Sequence, residues 1–89
     1  MLILETRATF DRDLKALRKK HWNTDKLKAV IAELLENHGM FGRFHDHALS
    51  GNLVGFRELH IEQNILLMYQ VENGSLILTR LGTHDDLFG

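Results

Sequence analysis

Three histidines, two arginines and a tyrosine recur among the apolar runs of the second half of this sequence: His47, His60, His84, Arg57, Arg80 and Tyr69. Histidine takes and gives protons near neutral pH, and arginine holds a fixed positive charge that suits phosphate. RNA cleavage by side chains alone needs those types. A base must take the 2′-hydroxyl proton, an acid must protonate the leaving 5′-oxygen, and a cation must steady the charge that builds at phosphorus. His47, His60, His84, Arg80, Arg57 and Asp46 supply those types. An unpaired charge inside an apolar strand is costly, so a ligand-facing position explains Arg80 best. Arg57 and Glu58 read equally well as a cross-strand ion pair. Tyr69 either hydrogen-bonds a phosphate or packs on the sheet. His21 and His38 read as helix-end residues.

Metal chemistry is the rival. His45 and His47 are spaced to share one face of a strand, and His60 or His84 could join them. The ligand pairing is loose and the chain has no cysteine, so no metal or other cofactor is expected. The glycines match neither a phosphate loop nor a dinucleotide-binding spacing.

These residues need a scaffold. Leu2 to Thr6 reads as a strand. Thr9 is placed to cap a helix from about Phe10 to His21, with Phe10, Leu14 and Leu17 on one stripe. A second helix starts at Asn23 or Thr24, carries the stripe Leu27, Val30, Ile31, Leu34 and Leu35, and stops at Asn37-His38-Gly39. Three strands follow, Leu53 to Glu62, Ile65 to Val71 and Ser75 to Leu81, with turns at Gln63-Asn64 and Asn73-Gly74. Strand, helix, helix and then strands is an α+β order: a mostly antiparallel sheet with both N-terminal helices packed on one face, in a single domain over residues 1–89. With two-residue turns, residue 61 faces 66 and residue 71 faces 76. That register puts His60, Leu67 and Arg80 in one row, with roughly 10 Å between the outer backbones.

Net charge is −1, but it is unevenly spread. Residues 1–44 hold nine Lys/Arg against six Asp/Glu, and residues 45–89 hold two against six. Any broad attraction for phosphate therefore lies in the first half, where Lys15 and Lys19 stand on the polar side of the first helix. No apolar run is long enough to span a membrane and no secretory signal is evident, so the cytoplasm is expected.

The ordered set Asp46-His47, Leu49, Gly51, Gly55, Arg57-Glu58, His60, Leu66-Leu67, Tyr69, Arg80, Gly82-Thr83-His84 and Leu87-Phe88 resembles the YafQ branch of the RelE-type toxins. These are ribosome-dependent mRNA endonucleases of bacterial toxin–antitoxin pairs. The resemblance covers nearly the whole chain. It implies a RelE-like α+β fold and a catalytic set of His47, His60, Arg80 and His84. It implies His84 as general acid, Arg80 as clamp, and His60 or His47 as base. Asp46, Asn64, Tyr69 and Phe88 are the expected substrate contacts, and the basic stretch with Lys15 and Lys19 reads either as a solvated helix face or as a contact to ribosomal RNA phosphates. The implied partners are a cognate antitoxin, the ribosome and mRNA, with no membrane and no direct DNA contact. One stretch departs from the family. Its acidic residue and tryptophan, in a His-Ile/Val-Glu-Pro-Asp-Trp run, are replaced here by Asn64 and Ile65. Asparagine hydrogen-bonds but cannot take a proton, and isoleucine stacks on a base less well than tryptophan. The alternative is thus a diverged, weakly active toxin that serves as a binding module for antitoxin and ribosome.

Overall fold

The computed structural model describes residues 1–37 and 43–89. Strand β1 (Ile3–Thr6) leads into helix α1 (Ala8–Lys19) and helix α2 (Asp25–Asn37). A two-residue strand, β2 (His47–Ala48), follows, flanked by short 3-10 turns at Arg43–His45 and Gly51–Leu53. The chain then forms β3 (Arg57–Glu62), β4 (Ile65–Glu72), β5 (Ser75–Gly82) and a terminal helix α3 (His84–Phe88). The sheet order is β1-β5-β4-β3-β2. Only β1 and β5 are parallel. The expected α+β architecture is the one observed, with β2 and α3 added.

The helix stripes explain which face is dry. Phe10, Leu27, Val30 and Leu34 are buried against Leu59, Ile61, Leu67, Tyr69, Leu76, Leu78 and Leu81 of the sheet, and Leu14, Leu17, Ile31 and Leu35 pack at the border. The tight turn at Asn73-Gly74 has φ of 50° and 79°, both left-handed, as a two-residue hairpin of right-twisted strands requires.

Two local expectations need correction. Thr9 does not cap α1. The helix begins at Ala8 after Arg7 without a side-chain cap, and the Thr9 hydroxyl donates to the Thr79 carbonyl at 2.6 Å. The reason is that β1 ends opposite Leu78, so the exposed edge of β5 beyond it needs donors and acceptors from α1. Asp13 supplies the next one, accepting from the Leu81 N–H at 2.9 Å. Leu53 belongs to a 3-10 turn, and β3 starts only at Arg57. The second half of the expected Asn37-His38-Gly39 stop lies outside the described residues.

The register correction matters more. Val71 faces Leu76 as expected, but the ladder shifts between Met68 and Tyr69, so that Arg80 faces Met68. A second shift, between His60 and Glu62, puts His60 opposite Leu66. His60 and Arg80 are therefore not in one row with Leu67. Leu67 points into the core, fully buried. Had the unshifted register held, His60 and Arg80 would have pointed there too. Each bulge adds one residue and turns the next polar side chain to the opposite face.

Candidate active site

The face of the sheet away from the packed stripes of α1 and α2 carries His47, Glu58, His60, Leu66 and Met68, while Arg80, paired with Met68, turns to Asp13 of α1. The pairings His47–Glu58, Glu58–Met68 and Met68–Arg80 form one row across four strands, and His60–Leu66–Gly82 form the adjacent row. An open cleft of about 390 Å³ lies on this face, lined by Glu58, His60, Gln63, Asn64, Leu66, Thr83, His84 and Asp85. It brings together the histidine of β3 and the histidine that opens α3.

The position of His84 follows from local chemistry. Thr83 accepts from the Asp86 N–H at 3.1 Å and the Asp86 carboxylate accepts from the Thr83 N–H at 3.0 Å. This reciprocal box starts a helix of only five residues. The Thr83 backbone bond holds the Asp86 carboxyl below its ordinary range. One turn on, the Phe88 ring lies 4.9 Å from the His84 ring, the neighbour spacing of a helix. Gly82 lets α3 fold back closely, since a Cβ there would fall 2.9 Å from Asp86 Oδ2 and 3.1 Å from Asp86 Cβ.

Glu58 is the site residue that the sequence reading missed. Its side chain is 7 % exposed, with Oε1 at 3.6 Å from His47 Nε2. Its Oε2 is buried without a hydrogen-bond partner. The signal was present: Glu58 and His60 are two apart on one strand, hence on one face. His47 is half exposed on β2, and its Nδ1 lies 2.6 Å from the His45 carbonyl. That bond fixes Nδ1 as the donor and leaves Nε2 toward Glu58. His47 lies beside the cleft rather than in its lining.

Arg80 is held at three points. Its Nε donates to Asp13 Oδ2 at 2.8 Å, and its Nη2 donates to Asp13 Oδ1 and to the Asp86 carbonyl, both at 3.3 Å. The Asp13 bonds raise its pKa above the ordinary value, so it stays charged. It ties α1, β5 and α3 together and does not line the His60/His84 cleft.

Asp46 and Tyr69 stand apart from this face. The Tyr69 hydroxyl donates to the Asp46 carboxylate at 2.8 Å, and Arg57 Nε donates to it at 3.1 Å. Tyr69 is fully buried on the helix side of the sheet. Burial, followed by the Asp46 bond, pushes its pKa far above the ordinary value. The expected substrate contacts Asp46 and Tyr69 are thus bonded to each other, and neither is among the lining residues of the His60/His84 cleft. Arg57 is likewise paired with Asp46 rather than with Glu58. Asn64 is in the cleft lining, Phe88 is partly exposed beside His84, and Lys15 and Lys19 are exposed on α1. Among the described residues no group of three or more His, Cys, Asp or Glu is placed to hold a metal.

A family model described as the bacterial toxin of type II toxin–antitoxin systems, YafQ, matches residues 2–89. This chain belongs to the YafQ toxin family. The mRNA interferase toxin YafQ of Escherichia coli K12 is 32% identical over 87 residues, covering 97% of this chain and 95% of that protein. Its fold is that of the YafQ structures. The toxin in the Escherichia coli DinJ–YafQ complex superposes with a TM-score of 0.89 at 31% identity, each chain covered in full. A copper-bound mutant toxin from Helicobacter pylori gives a TM-score of 0.93 at 38% identity, with 99% of this chain and all of that one covered.

Proposed function

We propose that this YafQ-family toxin is an mRNA interferase that cuts codons in the ribosomal decoding site, using His60 and His84 for proton transfer. The observation that carries the reading is one cleft lined by both histidines, with the buried Glu58 carboxylate in its wall. His84, exposed at the start of α3, is the acid for the 5′-oxygen. His60 is the base for the 2′-hydroxyl. Glu58 supplies the negative charge that the family places at the position of Asn64 here, and it favours a protonated imidazole nearby. The phosphorus–5′-oxygen bond breaks as the 2′-oxygen attacks, leaving a 2′,3′-cyclic phosphate and a 5′-hydroxyl. Proton transfer suffices for this chemistry, and the mechanism calls on no cofactor.

Arg80 acts first as a brace for α3 through the Asp86 carbonyl, and its uncommitted Nη1 edge is what remains for a phosphate. His47 buttresses Glu58. The protein acts as one domain over residues 1–89. A cognate antitoxin is its natural partner, as DinJ is for the Escherichia coli relative, and the cytoplasm is its place of action. Among the described residues no helix is long and apolar enough to cross a membrane.

The test is expression of the wild type and of His84→Ala, with RNA 5′ ends mapped on translated and on naked message. Growth arrest and cuts confined to translated message are expected from the wild type. A folded His84→Ala protein is expected to lose about 10²–10⁴-fold in cleavage rate. Equal cutting of naked RNA would remove the ribosome from the mechanism, and undiminished cutting by His84→Ala would remove that histidine.

A further inference from the structure

Residues 45–47 are pinned to the sheet by their middle member. The Asp46 carboxylate is buried and accepts from the Tyr69 hydroxyl and from Arg57 Nε. Its two neighbours are exposed, and they meet β3 two residues apart. His47 pairs with Glu58 in the antiparallel β2–β3 ladder. Two residues back along such a ladder the partner lies two residues on, which sets His45 against His60. The rings touch there, centroids 5.1 Å apart at 55°, a tilted geometry of the kind that ring pairs prefer. The contact is made although the backbone has left the strand. His45 ends a 3-10 turn with φ of 55°, a region rare for residues with large side chains. Such outliers persist where the surroundings over-determine them, and they concentrate at functional sites. The His45 carbonyl is held as well, accepting from His47 Nδ1 at 2.6 Å.

We propose that His45 is a positioning residue for RNA cleavage, holding the His60 ring in the orientation from which it takes the 2′-hydroxyl proton. This rests on the reading of His60 as the base. His60 borders the cleft it shares with His84 and also a second one of about 550 Å³, so open space adjoins it in two directions. A side chain so placed has room to change rotamer, whereas a general base must stay within hydrogen-bond reach of its proton. A misplacement of about 1 Å costs on the order of 10²-fold in rate. The His45 ring lies on the second side and closes off that freedom. It lines the second cleft and not the one with His84, so it acts through His60 and does not touch the reacting atoms. The hold is exerted by ring faces and edges, and a phenyl ring at position 45 makes the same contact.

The test is a double-mutant cycle on the intact protein, read by single-turnover cleavage on programmed ribosomes, with thermal melts to confirm folding. His45→Ala is expected to lower the maximal rate about 10-fold and to leave the half-saturating ribosome concentration within about twofold. In a His60→Ala background the same change is expected to add less than about twofold, because residues that act through one contact are not additive. His45→Phe is expected to return the rate to within about threefold of the wild type. Alanine and phenylalanine meet the same left-handed backbone, so comparing them isolates the ring. Full-rate cleavage by folded His45→Ala, an undiminished loss in the His60→Ala background, or a His45→Phe as slow as His45→Ala would each overturn the positioning role. A raised half-saturating concentration at an unchanged maximal rate would overturn it too, by making His45 a substrate contact. Wild-type cleavage by folded His60→Ala would overturn the reading of His60 as the base. A slow His60→Ala beside a full-rate His45→Ala would leave that reading standing and remove only the role of His45.

Discussion

A buried polar oxygen without a partner costs roughly 1–3 kcal/mol, and Glu58 carries one where it does nothing for the core. Glu58→Gln is nearly isosteric and removes the charge. It is expected to hold or raise the melting temperature while lowering cleavage about 10–100-fold. Loss of both together would make Glu58 a purely structural residue. Asn64 poses the converse case. It sits in a turn, where Asn and Asp are nearly interchangeable, yet it also lines the cleft with both histidines. Asn64→Asp restores the family's carboxylate, and a carboxylate stabilises a nearby imidazolium where an amide only orients it. A gain of about tenfold or less is expected, ~1.4 kcal/mol of barrier, read by single-turnover cleavage on programmed ribosomes. A flat response across the pH range of histidine titration would leave Glu58 as the carboxylate that matters. His60, His84 and Asn64 could be picked out from residue type and motif. Glu58 was legible only through its two-residue spacing from His60, and adjacency to Arg57 offered a simpler ion-pair reading, although the arginine in fact bonds Asp46.

At the scale of elements, α3 shows how five residues can place a histidine at the cleft. Its cap, Thr83 with Asp86, was written in the sequence as a Thr-x-x-Asp pattern, but the helix is too short to show a hydrophobic period. The Asp86 carboxyl titrates below its ordinary value of 3.8. A depressed folded-state pKa means that the carboxylate's contribution is complete above the ordinary value and is lost as pH falls through the lowered one. The amide resonances of α3 are therefore expected to stay helical above the ordinary carboxylate range and to lose that character as pH falls below it, ahead of the sheet. Gly82→Ala should loosen the same helix at neutral pH, because the new Cβ meets Asp86. Cleavage should fall with little change in sheet stability; an α3 that keeps its amide shifts in Gly82→Ala would disprove the close-approach argument. The helices and β1, β4 and β5 were readable because their stripes and alternation are long. The bulges at Ile61 and Thr79 were not, since a one-residue insertion leaves composition and turn signals untouched. Yet they put His60 and Arg80 outside the core.

For the molecule as a whole, charge separates two tasks. The second half holds the cleft and is acidic on balance, whereas the first half holds a surplus of three positive charges. A cleft with so little surrounding positive field gains by receiving RNA already held and oriented, and orientation by a larger body is worth many orders of magnitude in rate. The exposed basic side of α1, with Lys15 and Lys19, faces solvent, and α1 is anchored to β5 by Thr9 and Asp13. On the function proposed above, α1 serves as a rigid handle for a phosphate-rich surface, and the chemistry is left to the β3–α3 side. Each lysine that neutralises a phosphate releases counterions, so the logarithm of affinity falls with the logarithm of salt by about 0.7–0.9 per contact. Lys15→Ala with Lys19→Ala is expected to weaken association with ribosomes at low salt and to flatten that slope by about 1.4–1.8. Cleavage at saturating ribosome concentration should remain at the wild-type rate, because neither lysine touches the reacting atoms. Association measured from low to high salt decides between the two roles. An unchanged slope would make these lysines no more than a solvated helix face and move the ribosome contact elsewhere on the surface.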